Sequence, residues 1–131
     1  MPPAAAHLGM ELIDADPEKG TIELGFEAVE EFTNPTGNVL GAFQAAMLHD
    51  TVGPALLATL ESDQFQSTIE LSVQFHRPAR PGSMVGKGRV VHRVGDLAFL
   101  EAELLDPDGE TLATATALAR VIPLDQTRDA A

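Results

Sequence analysis

One segment limits what this chain can fold into. Residues 41–60, GAFQAAMLHDTVGPALLATL, read as a single helix of several turns, rich in Ala, Leu and Met. Its apolar residues, among them Phe43, Met47, Leu48, Val52 and Leu57, fall on all sides of that helix. A helix apolar all round must be buried, and the polar pair His49–Asp50 in its middle argues against a membrane span. Pro54 is expected to kink it, because proline offers no N–H to the carbonyl of Asp50.

Elsewhere the period is two. GMELIDADPEKGTIELGF reads as strand, turn and strand, with Ile22, Leu24 and Phe26 on one face and Thr21, Glu23 and Glu27 on the other. STIELSVQFHR alternates in the same way, which puts Ile69, Leu71, Val73 and Phe75 toward a core and Thr68, Glu70, Ser72, Gln74 and His76 away from it. SMVGKGRVVHR, LAFLEAELL and TLATATALARVI are three more strands, joined by VGD and DPDGE turns. The order β, β, helix, then four strands predicts an α+β domain. One antiparallel sheet of five to six strands must wrap a single long buried helix. The whole chain, 1–131, reads as one domain, with 1–6 and 124–131 expected to fray.

Composition narrows the function. The chain is 44% hydrophobic, has no cysteine and carries a net charge of −12 with no Trp or Tyr. A disulfide framework and thiolate metal sites are excluded, and nucleic acid and anionic membranes are unfavourable partners. Without a signal-like start, a cytoplasmic location is the expectation. Residues 1–63 hold one base, Lys19, against eleven acids, whereas Arg77, Arg80, Lys87, Arg89 and Arg93 follow one another with no acid between them. Such a segment either holds a phosphorylated small ligand or forms a solvated strand face. Lys87, Arg89 and Arg93 differ by even numbers, so regular alternation puts them on one face.

Few residues offer chemistry. There is no Gly-x-Ser-x-Gly elbow, GKGRVV lacks phosphate-loop or dinucleotide spacing, and the four histidines are scattered. What remains is His49 beside Asp50, about 100° apart on the helix and unable to share one position. At the helix start, the backbone N–H of Gly41 can face a ligand oxygen. Asn34, before Pro35, is a common turn residue.

NPTGNVLGA at the helix start, SVQFHRPARPGSMVGKGRVVHRVGDLAF and DGETLATATA together resemble the hotdog-fold acyl-CoA thioesterases. Within them, the match is to the phenylacetate-catabolism group of the 4-hydroxybenzoyl-CoA thioesterase superfamily. Asn34, Gly37 and Gly41 are in register with that family's motif; Leu40 stands where the family has His, and Ala42 replaces a second Gly. Nine residues after Leu40, where the family carries Asp or Glu, stands His49, with Asp50 one position late. The resemblance implies hydrolysis of a short, medium or aromatic acyl-CoA to free acid and CoA, with no cofactor beyond the CoA of the substrate. It implies a homodimer or a dimer of dimers, with each site at a dimer interface. Gly41 N–H would polarise the thioester carbonyl and Asn34 would orient water or substrate; His49 would act as base with Asp50 turned elsewhere, unless the kink at Pro54 rotates Asp50 inward and restores a carboxylate base. The hydroxyl of Thr68 would hold water, which requires a bulge to turn it toward the helix. The five bases would hold the CoA phosphates. A hotdog protein that binds acyl-CoA and hydrolyses it poorly or not at all stays open as the alternative.

Overall fold

The computed structural model describes residues 1–130, without the side chain of Asp129. Its elements run α1 (Pro3–His7), β1 (Glu11–Asp16), β2 (Thr21–Ala28), a 3-10 turn (Glu30–Phe32), α2 (Gly41–Leu57), β3 (Gln64–Phe75), β4 (Gly82–Val94), β5 (Leu97–Leu105), β6 (Thr111–Pro123) and a second 3-10 turn (Leu124–Asp129). The six strands form one antiparallel sheet in the order β1-β2-β4-β5-β6-β3. The sheet wraps α2, which packs on β2 through β6. This is the α+β hotdog arrangement that the sequence implied. Ala5 and Leu8 are buried, and a turn continues from β6 through residue 129; residue 131 lies outside the described residues.

α2 is shorter than its apolar run and continues through Pro54 to Leu57. Its inner face, including Met47, Leu48, Thr51, Val52 and Leu56, is fully buried, while Ala42 and Leu57 stay exposed. The chain thus covers only one side of a helix that is apolar all round.

Two glycines seat that helix. A Cβ on Gly86 would run into Thr51 Oγ1 and come within 3.0 Å of Phe26. A Cβ on Gly88 would stand 3.0 Å from Thr51 Cγ2 and 3.1 Å from the Thr51 carbonyl. The GKG of β4 is therefore the saddle on which the middle of α2 rests. Thr51 is fully buried, and its hydroxyl donates to the Met47 carbonyl at 2.8 Å, so it brings no unpaired polar group into the core.

Bulges overturn two readings based on alternation. In β3, Thr68 pairs with Ala119 and Glu70 with Leu118, leaving Ile69 as an extra residue. Gln66 and Thr68 therefore face α2, together with Leu71 and Val73. Ile69 leaves the core and is 52% exposed, and Phe75 at the far end of β3 is 54% exposed. In β4, Val91 is the extra residue between the pairs Val90–Leu100 and His92–Phe99. Arg93 then pairs with Ala98, a buried core residue, so it sits on the inner side of the sheet and not with Lys87 and Arg89. A bulge shifts parity by one, and neither bulge residue, Ile69 or Val91, is a glycine that would mark it.

Gly86→Ala should destabilise the protein by about 2 kcal/mol, since overpacking a filled helix–sheet contact strains both elements. Urea denaturation checks this; unchanged stability would mean that Thr51 moves aside freely.

Candidate active site

His49 and Asp50 lie in the third turn of α2, both half-buried. Among the described residues, no hydrogen bond or ion pair engages either side chain. Asp50 lines up with Phe43, Ala46 and Leu57 at spacings of four and seven; of these, Phe43 and Ala46 pack against the edge of the core and Leu57 is exposed. His49 lies one turn before Gly53, against which β3 packs its Gln66. The two side chains thus point about 100° apart, His49 toward the β3 flank and Asp50, half-buried, along the stripe of Phe43 and Ala46.

Thr68 joins this flank. Gln66 meets Gly53, and Phe75 meets Gly41, so β3 runs antiparallel to α2. Two residues along a strand cover roughly 6.6 Å, about four residues of helix, which sets Thr68 alongside the turn of His49. Thr68 is buried, and its Oγ1 donates to Gln66 Oε1 at 3.4 Å.

Burial raises the carboxyl pKa of Asp50 above its ordinary value, and the charge of His49 pulls it part of the way back. A carboxyl with a folded-state pKa above the unfolded one adds stability while protonated, and that contribution is lost as pH climbs through the folded-state value. Ionised Asp50 is therefore a burden at neutral pH, which is common for groups kept for chemistry.

Gly41 opens α2 with Leu40 as its N-cap residue and no side-chain cap. The first backbone bonds run from Phe43 and Gln44 to the Leu40 carbonyl, so the N–H groups of Gly41 and Ala42 belong to the uncapped helix end. The space above Gly41 is taken by the chain itself. A Cβ there would stand 3.0 Å from the Phe75 ring. Gly41 and His49 are eight residues apart, about 12 Å along the helix.

The remaining expected residues are spread out. Asn34 organises its loop: its Oδ1 accepts from Thr36 N at 3.0 Å, Thr36 Oγ1 at 2.7 Å and Asn38 N at 3.1 Å, leaving only Nδ2 for a ligand. Lys87 and Arg89 lie on the outer sheet face, paired with Glu23 and Glu101. They border a trough of about 670 Å3 that no residue of α2 lines. Arg77 pairs with Glu110 at 2.9 Å, and Arg93 Nε donates to the Gly95 carbonyl. Arg80 has no carboxylate partner among the described residues; its neighbour Ala79 accepts from Val39 N at 2.7 Å, which ties this loop to the start of α2. Among the described residues, no cluster of three or more His, Asp or Glu could hold a metal. Among the described residues, no helix is long and apolar enough to cross a membrane. Gln66 and Phe75 touch the site and were not picked out from the sequence, because bulges and ring packing leave no mark in it.

With this geometry in hand, comparison with known proteins is decisive for the family. The model of the thioesterase superfamily matches residues 36–113, more than half of the chain. The chain belongs to the thioesterase superfamily. Among solved structures, the phenylacetic acid degradation-related protein of Ralstonia eutropha JMP134 is 36% identical, with 92% of this chain and 90% of that one covered and a TM-score of 0.88. Thioesterase HI1161 of Haemophilus influenzae (17% identity, 92% and 83% covered, TM-score 0.84) shares the fold. So does the PaaI protein of the E. coli phenylacetic acid degradation operon (16%, 90% and 83%, TM-score 0.82). No curated protein matches. Membership of this superfamily supports thioester hydrolysis as the general activity.

Asp50→Asn should melt at or above the wild-type temperature at pH 7, an advantage that vanishes below about pH 4, where both side chains are neutral. Thermal melts across pH test this; a less stable Asp50→Asn at pH 7 would show that ionised Asp50 has a stabilising partner.

Proposed function

We propose that the chain hydrolyses acyl-CoA thioesters to the free acid and CoA, at a site that two copies build together. The observation that carries this reading is His49, without a hydrogen bond or ion pair among the described residues, one turn before the Gly53 contact with Gln66 of β3 and next to a carboxylate that burial disfavours. A neutral imidazole is a competent base near neutral pH. As water attacks the thioester carbon, His49 takes a proton from it. A backbone N–H of a helix start holds the oxyanion. The tetrahedral intermediate then expels the thiolate by breaking the C–S bond, and His49 returns the proton to sulfur.

Distance supports the second copy. An oxyanion donor must lie within about 3 Å of the oxygen it stabilises, whereas Gly41 and His49 of one chain are about 12 Å apart along α2. A copy related by a two-fold axis can bring its own Gly41 to the partner's missing place. β3 is a twelve-residue edge strand paired only with β6. Half-exposed Ile69 and Phe75 lie along it, an edge that calls for a partner. The uncovered side of α2, with Ala42 and Leu57, adjoins the same edge.

Arg80, without a carboxylate partner among the described residues and next to the Ala79 tie to the helix start, is the base best placed for the CoA phosphates. Lys87 and Arg89 face the other side of the sheet and already meet carboxylates. The 36% identity to a phenylacetic acid degradation-related protein favours an aromatic acyl group. Leu40 and Ala42, which replace the family's His and second Gly, favour a second reading, in which the chain binds acyl-CoA and turns it over poorly.

The test is turnover on short, medium and aromatic acyl-CoAs with wild type, His49→Ala and Asp50→Asn, their oligomeric state checked. His49→Ala should lose at least about a hundredfold in kcat, the usual worth of a general base, while Asp50→Asn keeps most of its activity. Loss confined to Asp50→Asn would make the shifted carboxylate the base. Inactivity of the wild type on every thioester would support the binding reading.

A further inference from the structure

Gly53 is an expensive residue at its position, inside a helix and just before a proline. The structure gives it a reason. A Cβ there would stand 2.9 Å from Gln66 Nε2, so the glycine admits the Gln66 carboxamide onto the helix backbone. Gln66 is only 8% exposed. Its Oε1 accepts from Thr68 Oγ1 at 3.4 Å, while among the described residues no acceptor takes its Nε2 protons. The bulge at Ile69 keeps Gln66 and Thr68 on the face of β3 that looks at α2.

We propose that Gln66 is a positioning residue for thioester hydrolysis. Its carboxamide, wedged on Gly53 one turn after His49, accepts a hydrogen bond from the Thr68 hydroxyl and so turns the Thr68 lone pairs toward the water that His49 activates. Thr68 has one proton and two lone pairs. With the proton directed to Gln66 Oε1, the oxygen faces the site as an acceptor only. A water held there gives one proton to Thr68 and the other to His49, which leaves its own lone pair aimed at the carbonyl carbon. Without Gln66 the hydroxyl rotates freely, and the water loses that orientation.

This rests on the hydrolysis reading above, and the experiment separates the two. Steady-state kinetics are measured on the best acyl-CoA for wild type, Gln66→Leu, Thr68→Val, the double variant and Gly53→Ala, with melting temperatures and oligomeric state alongside. In Gln66→Leu, kcat is expected to fall about tenfold while KM stays within about twofold. The double variant should be no worse than Thr68→Val alone, because Gln66 acts through Thr68. Gly53→Ala displaces the carboxamide without removing a polar group. Alanine favours helix over glycine, so kcat should fall while the melting temperature holds or rises. Wild-type kcat in Gln66→Leu or Gly53→Ala, losses that multiply in the double variant, or kcat that falls only in step with melting temperature would each overturn the proposal and leave hydrolysis standing. A wild type that turns over no thioester overturns both.

Discussion

Everything in this molecule hangs on how closely one helix can approach one sheet. The approach is set at Gly86 and Gly88, where the side chain and carbonyl of Thr51 fill the space that two Cβ atoms would need. Once Thr51 is seated, Met47, Leu48, Val52 and Leu56 are fully buried beneath the strands. The same seating turns the other side of α2 outward, and with it His49 and Asp50. A helix that is apolar all round then has one side in the core of its own chain and one side still to be covered. The position of the candidate site follows from that division.

The elements themselves were readable because burial writes a period into a strand or a helix. Ile22, Leu24 and Phe26 alternate with Thr21 and Glu23, and all three are buried. Gly95 and Gly109, both at positive φ, mark the hairpin turns at VGD and DPDGE. What alternation hides is the extra residue. Ile69 and Val91 look like ordinary strand residues, yet each shifts every neighbour beyond it to the other face. Thr68 could reach the helix only through such a bulge. Arg93 loses its place beside Lys87 and Arg89 for the same reason. Gly86 and Gly88 were visible as a pair, but a distance between helix and sheet is a tertiary fact, and no local pattern carries it.

The site was legible in part. His49 and Asp50 stood out because polar residues in a greasy segment must be explained. Their directions come from helical geometry: they leave α2 about 100° apart, His49 on the side of Gly53 and β3, Asp50 on the side of Phe43 and Ala46 with a carboxyl that burial disfavours. The basic segment was legible as a run but not as a surface. Its five residues separate into two that answer carboxylates on the outer face, one at the far hairpin, one paired with Glu110 at the turn before β6, and Arg80, beside the loop that leads into α2. Glycine at 41 suggested room for a ligand; the Phe75 ring fills that room.

The central claim is that one site takes its helix-start donor and its base from different copies of the chain, and subunit mixing tests it most directly. One inactive variant is His49→Ala. The other is Gly41→Pro with Phe75→Ala, which removes the N–H at a position where proline suits a helix and clears the ring that would clash with it. The two are unfolded together and refolded. The account predicts about a quarter of wild-type specific activity, the share left when half of the two-fold dimers are mixed and each holds one whole site. A mixture as inactive as its components, with mixed dimers demonstrated, would place donor and base in the same chain and contradict the account.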